Sequence, residues 1–423
     1  MSDYQGVLSD NNERGGTVRI LHTADWHMQD RLGRQDRSEH ISHALEQIAG
    51  YLEEYRVDMM LVAGDIFSEH CRAEQLREAV ASIKRIFQPF IQRGGTIVAI
   101  SGNHDSEVFF ETLRDALDLV AEGTPGSPAH AAGRLHVAAH PGLLRLAGRD
   151  GTIVQFVLMP FPTARGYLNG ERGERRYATP EDKYQAIAQG YKETLHTFQG
   201  QLDVHLPSVL VSHIHVRGAE TYTHHSLGDE DSILVEQDDL PADFAYVACG
   251  HIHKAQTIKR ASHMRYCGSI ERMDVAEGQD TKSVVLCEVG PRGLVGEPLL
   301  LPLRSTPIYH VEITDPETQI PQLLACYPDA QNALVKYTLH WDPEKHIREE
   351  LARRVEGIFP RWYERNFKEI GQNGNQKTVF AQQRLLDVVG TVRDYLNMNL
   401  VGDPHRDELL ALANELLAEE AWL

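Results

Sequence analysis

Nowhere does the chain approach the ~20 consecutive apolar residues that a membrane-spanning helix needs, so a membrane protein is not expected. Its five cysteines are scattered and odd in number, with no CxxC pair. That usage does not suggest a disulfide framework and gives no sign of structural zinc. Positive charge is scarce: 42 Lys and Arg stand against 61 Asp and Glu, for a formal net charge of -19. A protein that simply coats DNA carries the opposite balance, although an enzyme that makes its phosphate contacts locally is compatible with this one. The opening residues, MSDYQGVLSDNNERGG, lack the apolar core of a signal peptide. Residues 1–16 therefore read as a disordered lead-in, and the cytoplasm is the expected location. Internal repeats and low-complexity tracts are missing as well.

What is present is an ordinary globular composition, 42% hydrophobic over 423 residues, long enough for two or three domains. TVRILH reads as a first strand, and Ile41, Ala44, Leu45, Ile48 and Leu52 recur at the spacing of an amphipathic helix over 36–55. VDMMLVAG and GGTIVAISG read as further strands, with a helical pattern through Phe87 and Ile91 between them. This alternation predicts an α/β fold with helices covering a largely parallel sheet. After about His140 the strand-like segments lie closer together, interrupted only by a helix over 183–198. They predict a second, more antiparallel sheet that completes a domain over 17–302. Residues 307–366 read as a small α+β domain, with a helix starting at Pro343 behind an Asp342 cap. KEIGQNGNQK reads as a linker. Beyond it, apolar spacing over 378–423 predicts two C-terminal helices that dock on the body or on another protein.

HTADWH, VAGD, SGNHDS, LVSHIH and ACGHIHK each follow directly on a strand-like run. Ligands collect at the carboxyl ends of strands in open α/β sheets. If those strands are neighbours, Asp25, His27, Asp65, Asn103, His104, His213, His251 and His253 meet at one edge. Carboxylates and imidazoles gathered there without Lys or Arg need another source of positive charge, and a pair of metal ions supplies it. In Asp25-x-His27 and His251-x-His253 the side chains share one side of an extended chain, so each pair can enter a common site. Oxygen and imidazole donors without thiolate suit Mn²⁺, Fe or Zn²⁺ better than Ca²⁺ or Cu(I). Asp65, with two oxygens, can bridge two cations. His104 should point away from Asn103, toward the substrate phosphate or leaving oxygen, as general acid or charge stabiliser.

In this order, DWH, GD, GNHD, a lone His and GHIH resemble the calcineurin-like metallophosphoesterase superfamily. HTADWH, VAGDIF, GNHDS, ADFAYVACGHIHKAQ and RYCGSIER are similar more specifically to its SbcD and meiotic-recombination-eleven type of DNA nuclease. The likeness runs from about Val18 to Val289. It implies a two-sheet sandwich flanked by helices, with 307–366 as a capping domain. It also implies one ion at Asp25, His27, Asp65 and His253 and a second at Asp65, Asn103, His213 and His251. His104 is then the catalytic histidine, and the VRG after HIH favours His213 over His215. The implied activity is Mn²⁺-dependent 3′–5′ double-strand exonuclease and single-strand endonuclease action on DNA, in end processing and repair. The implied partners are an SbcC-type coiled-coil ATPase, bound by the C-terminal helices, and a second copy of the chain, near the nucleoid. One position departs from the pattern: Ser68 stands three residues after Asp65, where the family carries a helper His or Asp, which leaves that role open, with His70 a nearby candidate. Arg31, Arg34, Arg37 and Lys254 are candidates for phosphate contacts. The rival readings are a nucleotide or protein phosphatase on the same fold, and a catalytically silent scaffold.

Overall fold

The computed structural model describes residues 16–69, 71–119, 133–168, 177–222, 233–370, 406, 409, 410 and 412. The expected lead-in, the C-terminal helices and His70 lie outside these residues almost entirely. The chain divides into two compact units, Met1–Trp341 with Ile347–Lys368, and Asp342–His346 with Glu369–Leu423. In the second, Asp342–His346 is a turn in which the Asp342 carboxylate accepts from the Glu344 N–H and pairs with Lys345. That turn occupies Asp342 with its own neighbours. The helix expected from Pro343 therefore begins only at Arg348.

Along the first unit run strands β1 (Val18–Thr23), β2 (Met59–Ala63), β3 (Thr96–Ile100), β4 (Leu135–Ala138), β5 (Gly142–Ala147) and β6 (Ile153–Met159). They are followed by β7 (Ser208–His213), β8 (Tyr246–Gly250), β9 (Gln256–Ile258), β10 (Ala261–Tyr266), β11 (Ser283–Gly290) and β12 (Gly293–Pro302). Helices α1 (Ser38–Glu54), α2 (Ala73–Gln92), α3 (Glu107–Asp118) and α4 (Pro180–Gln199) lie between them. Capping explains two of the starts. The Ser106 hydroxyl accepts from the Phe109 N–H ahead of α3, and the Thr179 hydroxyl accepts from the Asp182 N–H ahead of Pro180 in α4.

The strands form two six-stranded sheets, in the orders β12-β11-β1-β2-β3-β4 and β9-β10-β8-β7-β6-β5. Strand alternation sets the layers. In β2, Met59, Leu61 and Ala63 face inward, where they join Phe156, Leu158, Val209, Val211 and Ala248 of the other sheet in one core. Met60 and Val62 face outward, into a second core with Leu45 and Ile48 of α1 and Phe87 of α2. A third core packs Ile187, Tyr191 and Leu195 of α4 on the far face of the second sheet. The result is the expected α/β sandwich of two sheets between helices.

Two expectations about the second sheet are corrected. It is mostly parallel, since β6, β7, β8 and β10 all run the same way and only the edge strands β5 and β9 oppose them. Helix α4 carries the chain from β6 back to the start of β7, and the short β9 reverses it between β8 and β10. Close spacing of strand-like runs does not reveal either crossover. In addition, β11 leaves this sheet for the first, pairing antiparallel with β1. After β12 the chain forms a separate three-stranded sheet, β13 (Ile308–Ile313), β14 (Leu334–Trp341) and β15 (Trp362–Glu369), backed by helix α5 (Arg348–Ile358) over its own core.

The two large sheets approach each other closely at the carboxyl ends of β2 and β8. A Cβ on Gly250 would lie 1.9 Å from the carbonyl oxygen of Ala63. Gly250→Ala should therefore lower stability by ~1–3 kcal/mol or more, the cost of overpacking a core that cannot relax. Gly50→Ala, on the exposed face of α1 with nothing within 4 Å of its Cβ, should instead add ~0.5–1 kcal/mol. Thermal unfolding of both variants checks the contrast. A Gly250→Ala protein as stable as the parent would contradict this close approach.

Candidate metal centre

All five motifs sit at the carboxyl ends of strands: Asp25 and His27 after β1, Asp65 after β2, Asn103 and His104 after β3, His213 ending β7, and His251 and His253 after β8. The chain turns sharply to place them. Asp25 (φ 52°), His27 (φ 46°), Asp65 (φ 52°) and His251 (φ 93°) all lie in the left-handed region. Such backbone costs roughly 1–2 kcal/mol per non-glycine residue and persists only where its surroundings impose it. The expectation that Asp25 and His27 share one side of an extended strand is thus corrected: a tight left-handed turn brings both to the site.

Hydrogen bonds between the loops impose that turn. The N–H groups of Trp26 and His27 both donate to the carbonyl of Asp65, at 2.8 and 3.0 Å. The Asp105 carboxylate accepts from the N–H groups of Gly102 (2.8 Å), Phe67 (2.9 Å) and Ile66 (3.2 Å), tying the third loop to the second. Burial, together with the charge of Asp65, pushes its pKa up to about 7. His104 donates its N–H to Asp65 Oδ1 at 2.9 Å, and His251 donates its N–H to Asp25 Oδ1 at 2.9 Å.

The side chains then meet in two overlapping groups. On one side, His27 Nε2 lies 3.1 Å from His253 Nε2 and 3.7 Å from Asp65 Oδ2. On the other, Asn103 Oδ1 lies 3.0 Å from His213 Nε2 and 3.1 Å from His251 Nδ1, while His213 Nε2 is 3.4 Å from Asp65 Oδ2. Asp65 is common to both. Sets of ligand atoms close enough to share an ion are Asp25, His27 and His253; Asp25, Asp65 and His213; and His27, Asp65 and His104.

Electrostatics favour cations here. Asp25 and Asp65 are buried, and Asp25 Oδ2 is buried with no hydrogen-bond partner among the described residues. Burial raises the Asp25 pKa, against the pull of His213. Burial would also raise that of Asp65, but His213 and His27 hold it well below the usual range. Burial lowers His27 and opposes the charge on His213, yet Asp65 lifts His213 to about 9. His213 Nδ1 lies 2.7 Å from the carbonyl of Ala63 and donates to it, which turns the Nε2 end of the ring toward Asn103 and Asp65. Two buried carboxylates and four imidazoles sharing one space call for positive charge among them, which a proton on His213 supplies only in part. The donor set fits a pair of divalent ions.

The remaining predicted residues divide sharply. His104 stands at the rim, its ring 5.0 Å from that of His27 and its Nδ1 3.8 Å from Glu69. His215 is buried, with its ring 5.8 Å from that of His251, while His213 is the residue in contact with Asn103 and Asp65. Ser68 donates its hydroxyl to the carbonyl of His27 at 3.0 Å, a loop-fastening role. Arg37 is fully buried and pairs with Asp30, so it is not a phosphate contact. Lys254 pairs with Glu220, and Arg34 lies over the Trp362 ring. Sequence reasoning missed Glu277 and Lys282. Glu277 Oε1 accepts from His253 Nδ1 at 3.0 Å, and Lys282 pairs with its other oxygen. DVAEGQDTK offers no local signal for either residue, because their partners are set by the fold.

A family model described as calcineurin-like phosphoesterase matches residues 18–255. The SbcD subunit of the nuclease SbcCD from Escherichia coli K12 is 31% identical over 264 residues, which span 60% of this chain and 60% of that protein. The Bacillus subtilis protein of the same name is 28% identical over 65% of this chain and 67% of its own length. One from Staphylococcus epidermidis is 23% identical over 70% of this chain and 74% of its own length. No described helix is long and apolar enough to cross a membrane. With the match covering more than half of its length and the motifs gathered at one sheet edge in the order described, the chain belongs to the calcineurin-like phosphoesterase family.

Proposed function

We propose that this chain is a two-metal DNA phosphodiesterase, a 3′–5′ double-strand exonuclease and single-strand endonuclease in DNA end processing. The observation that carries the reading is the buried set of oxygen and nitrogen donors around Asp65, with Asp25 Oδ2 left without a hydrogen-bond partner among the described residues. Asp25, His27, Asp65 and His253 would hold one ion, and Asp65, Asn103, His213 and His251 the other, most suitably Mn²⁺. When bound, such ions supply Lewis-acid stabilisation of charge developing on a phosphate.

The protein's own residues do the rest. Asp65 keeps both halves of the site in register through its carboxylate and its backbone. His104, at the rim with its imidazole partly open to solvent, meets the phosphate or the leaving oxygen and carries a proton to it. The Phe161 ring, 5.9 Å from that of His251, walls the site with apolar surface, while the Trp26 indole, stacked on Phe87, anchors the first loop in the helix-side core. The domain at 307–366 would cap the site and steer DNA. The segment 378–423 would bind a coiled-coil ATPase of the SbcC type. The chain would act as a homodimer in the cytoplasm, near the nucleoid. A net charge of -19 supports this division of labour: alone, the chain holds duplex DNA weakly, and the partner supplies the salt-sensitive phosphate affinity.

Linear duplex DNA incubated with the full chain and Mn²⁺ should shorten, and a chelator should stop it. Asp65→Asn should reduce that digestion by at least ~10²-fold, the scale of losing a single electrostatic stabiliser; undiminished turnover would remove Asp65 from the centre. A second reading makes His104 a ligand, because it shares an ion-sized space with His27 and Asp65. His104→Ala separates the two. As a proton carrier it should lose ~10²–10⁴-fold in rate with Mn²⁺ binding intact by calorimetry, whereas a ligand would lose an ion.

A further inference from the structure

His253 is gripped from behind. Its Nε2 faces His27 Nε2 at 3.1 Å, and its Nδ1 lies 3.0 Å from Glu277 Oε1. Glu277 is fully buried, on the short turn Val275–Glu277, and its second oxygen accepts from the Met273 N–H at 3.1 Å. The same oxygen pairs with the ammonium of Lys282, itself buried, which also donates to Ser269 Oγ (2.9 Å) and to the carbonyl of His253 (3.1 Å). Every donor of Lys282 is thereby used, and the carboxylate is held at both ends.

A buried ion pair of this kind is a poor way to stabilise a fold, since desolvation consumes most of its attraction. It can, however, define where a neighbouring proton sits. A carboxylate at Nδ1 makes that nitrogen the N–H and leaves Nε2 as a lone pair. It also makes the imidazole a stronger donor than a neutral acceptor would. His213 shows the contrast: its Nδ1 partner is the uncharged carbonyl of Ala63, at 2.7 Å.

We propose that Glu277, fixed by Lys282, is a positioning residue that sets the tautomer of His253 and makes the site of Asp25, His27 and His253 the tighter of the two ion sites. This rests on the reading of the site as a two-metal centre. Of the site's side chains the pair bonds His253, so its effect should fall on that half of the site. It leaves the Asn103, His213 and His251 half unchanged.

The test uses the full chain and two readouts. Nitrogen-15 NMR of the metal-free protein, at alkaline pH where neutral imidazole dominates, reports which nitrogen of His253 carries the proton. Calorimetric titration with Mn²⁺ reports the two binding steps. Glu277→Gln keeps the acceptor and removes the charge, so His253 should stay protonated at Nδ1 while the tighter step weakens. The double variant Glu277→Met, Lys282→Met replaces the pair with apolar groups of similar volume and avoids stranding a buried ammonium. There the Nδ1–H tautomer should be lost and the tighter step should weaken by ~10- to 100-fold, the usual cost of removing such a partner. The affected step should be the one missing in His27→Ala and retained in His251→Ala. A double variant that folds, keeps the Nδ1–H tautomer and binds both ions as before overturns the role of Glu277. A parent chain that binds no Mn²⁺ overturns the two-metal reading itself.

Discussion

The structure turns on uncompensated charge. Asp25 and Asp65 are taken out of water at the junction of two sheets, and no Lys or Arg side chain among the described residues pairs with either. Two buried basic side chains are committed elsewhere, Lys282 to Glu277 and Arg37 to Asp30. Among the described side chains imidazoles are what face these carboxylates, and two of them, His27 and His253, bring their Nε2 atoms within 3.1 Å of each other. A fold evolved only for stability would replace such a cluster with apolar residues, because a buried charge without a partner costs several kcal/mol. The cluster makes sense as half of an ionic lattice whose other half is metal.

Holding that half-lattice in place requires the sheets to nearly touch. Gly64 and Gly250 are where they do so: a Cβ on Gly64 would fall 2.2 Å from His213 Nδ1, and one on Gly250 1.9 Å from the Ala63 carbonyl. The same crowding lets His213, on one sheet, donate to the backbone of the other. Left-handed backbone at Asp25, His27, Asp65 and His251 adds strain at the same spot. The broad apolar interface built on Phe156, Leu158, Val209 and Leu61 supplies the opposing stability. Strain and close approach are tolerated at the sheet edge because the core behind it is extensive.

Much of this was legible because it is local. VDMMLVAGD announces a buried strand ending in a carboxylate, and GNHD and GHIH repeat the pattern, so the edge where ligands collect could be named from order alone. Burial and long-range pairing were not legible. Arg37 looked like a surface arginine beside Arg31 and Arg34, yet the fold closes over it and spends it on Asp30. Glu277 lies 24 residues beyond His253, and no periodicity links the two. The direction of the second sheet was misread for a related reason. Spacing along the chain says when a strand recurs, whereas the crossover through α4 and the reversal through β9 decide which way it runs.

The loop after the first motif ties the centre to the three-stranded sheet. Asp30 donates its N–H to the carbonyl of His27, and Arg37 pairs with the Asp30 carboxylate. Between them, Gln35 donates to the carbonyl of Trp362 at 2.9 Å, Arg34 covers the indole of Trp362, and Gly33 packs so tightly that a Cβ there would lie 2.4 Å from the Tyr363 carbonyl. His40, on α1, meets Arg361 of the same strand region. Arg37 also reaches Met273, whose N–H donates to Glu277. The segment that positions His27 is therefore the segment on which the smaller sheet rests, and through Met273 it touches the support of His253.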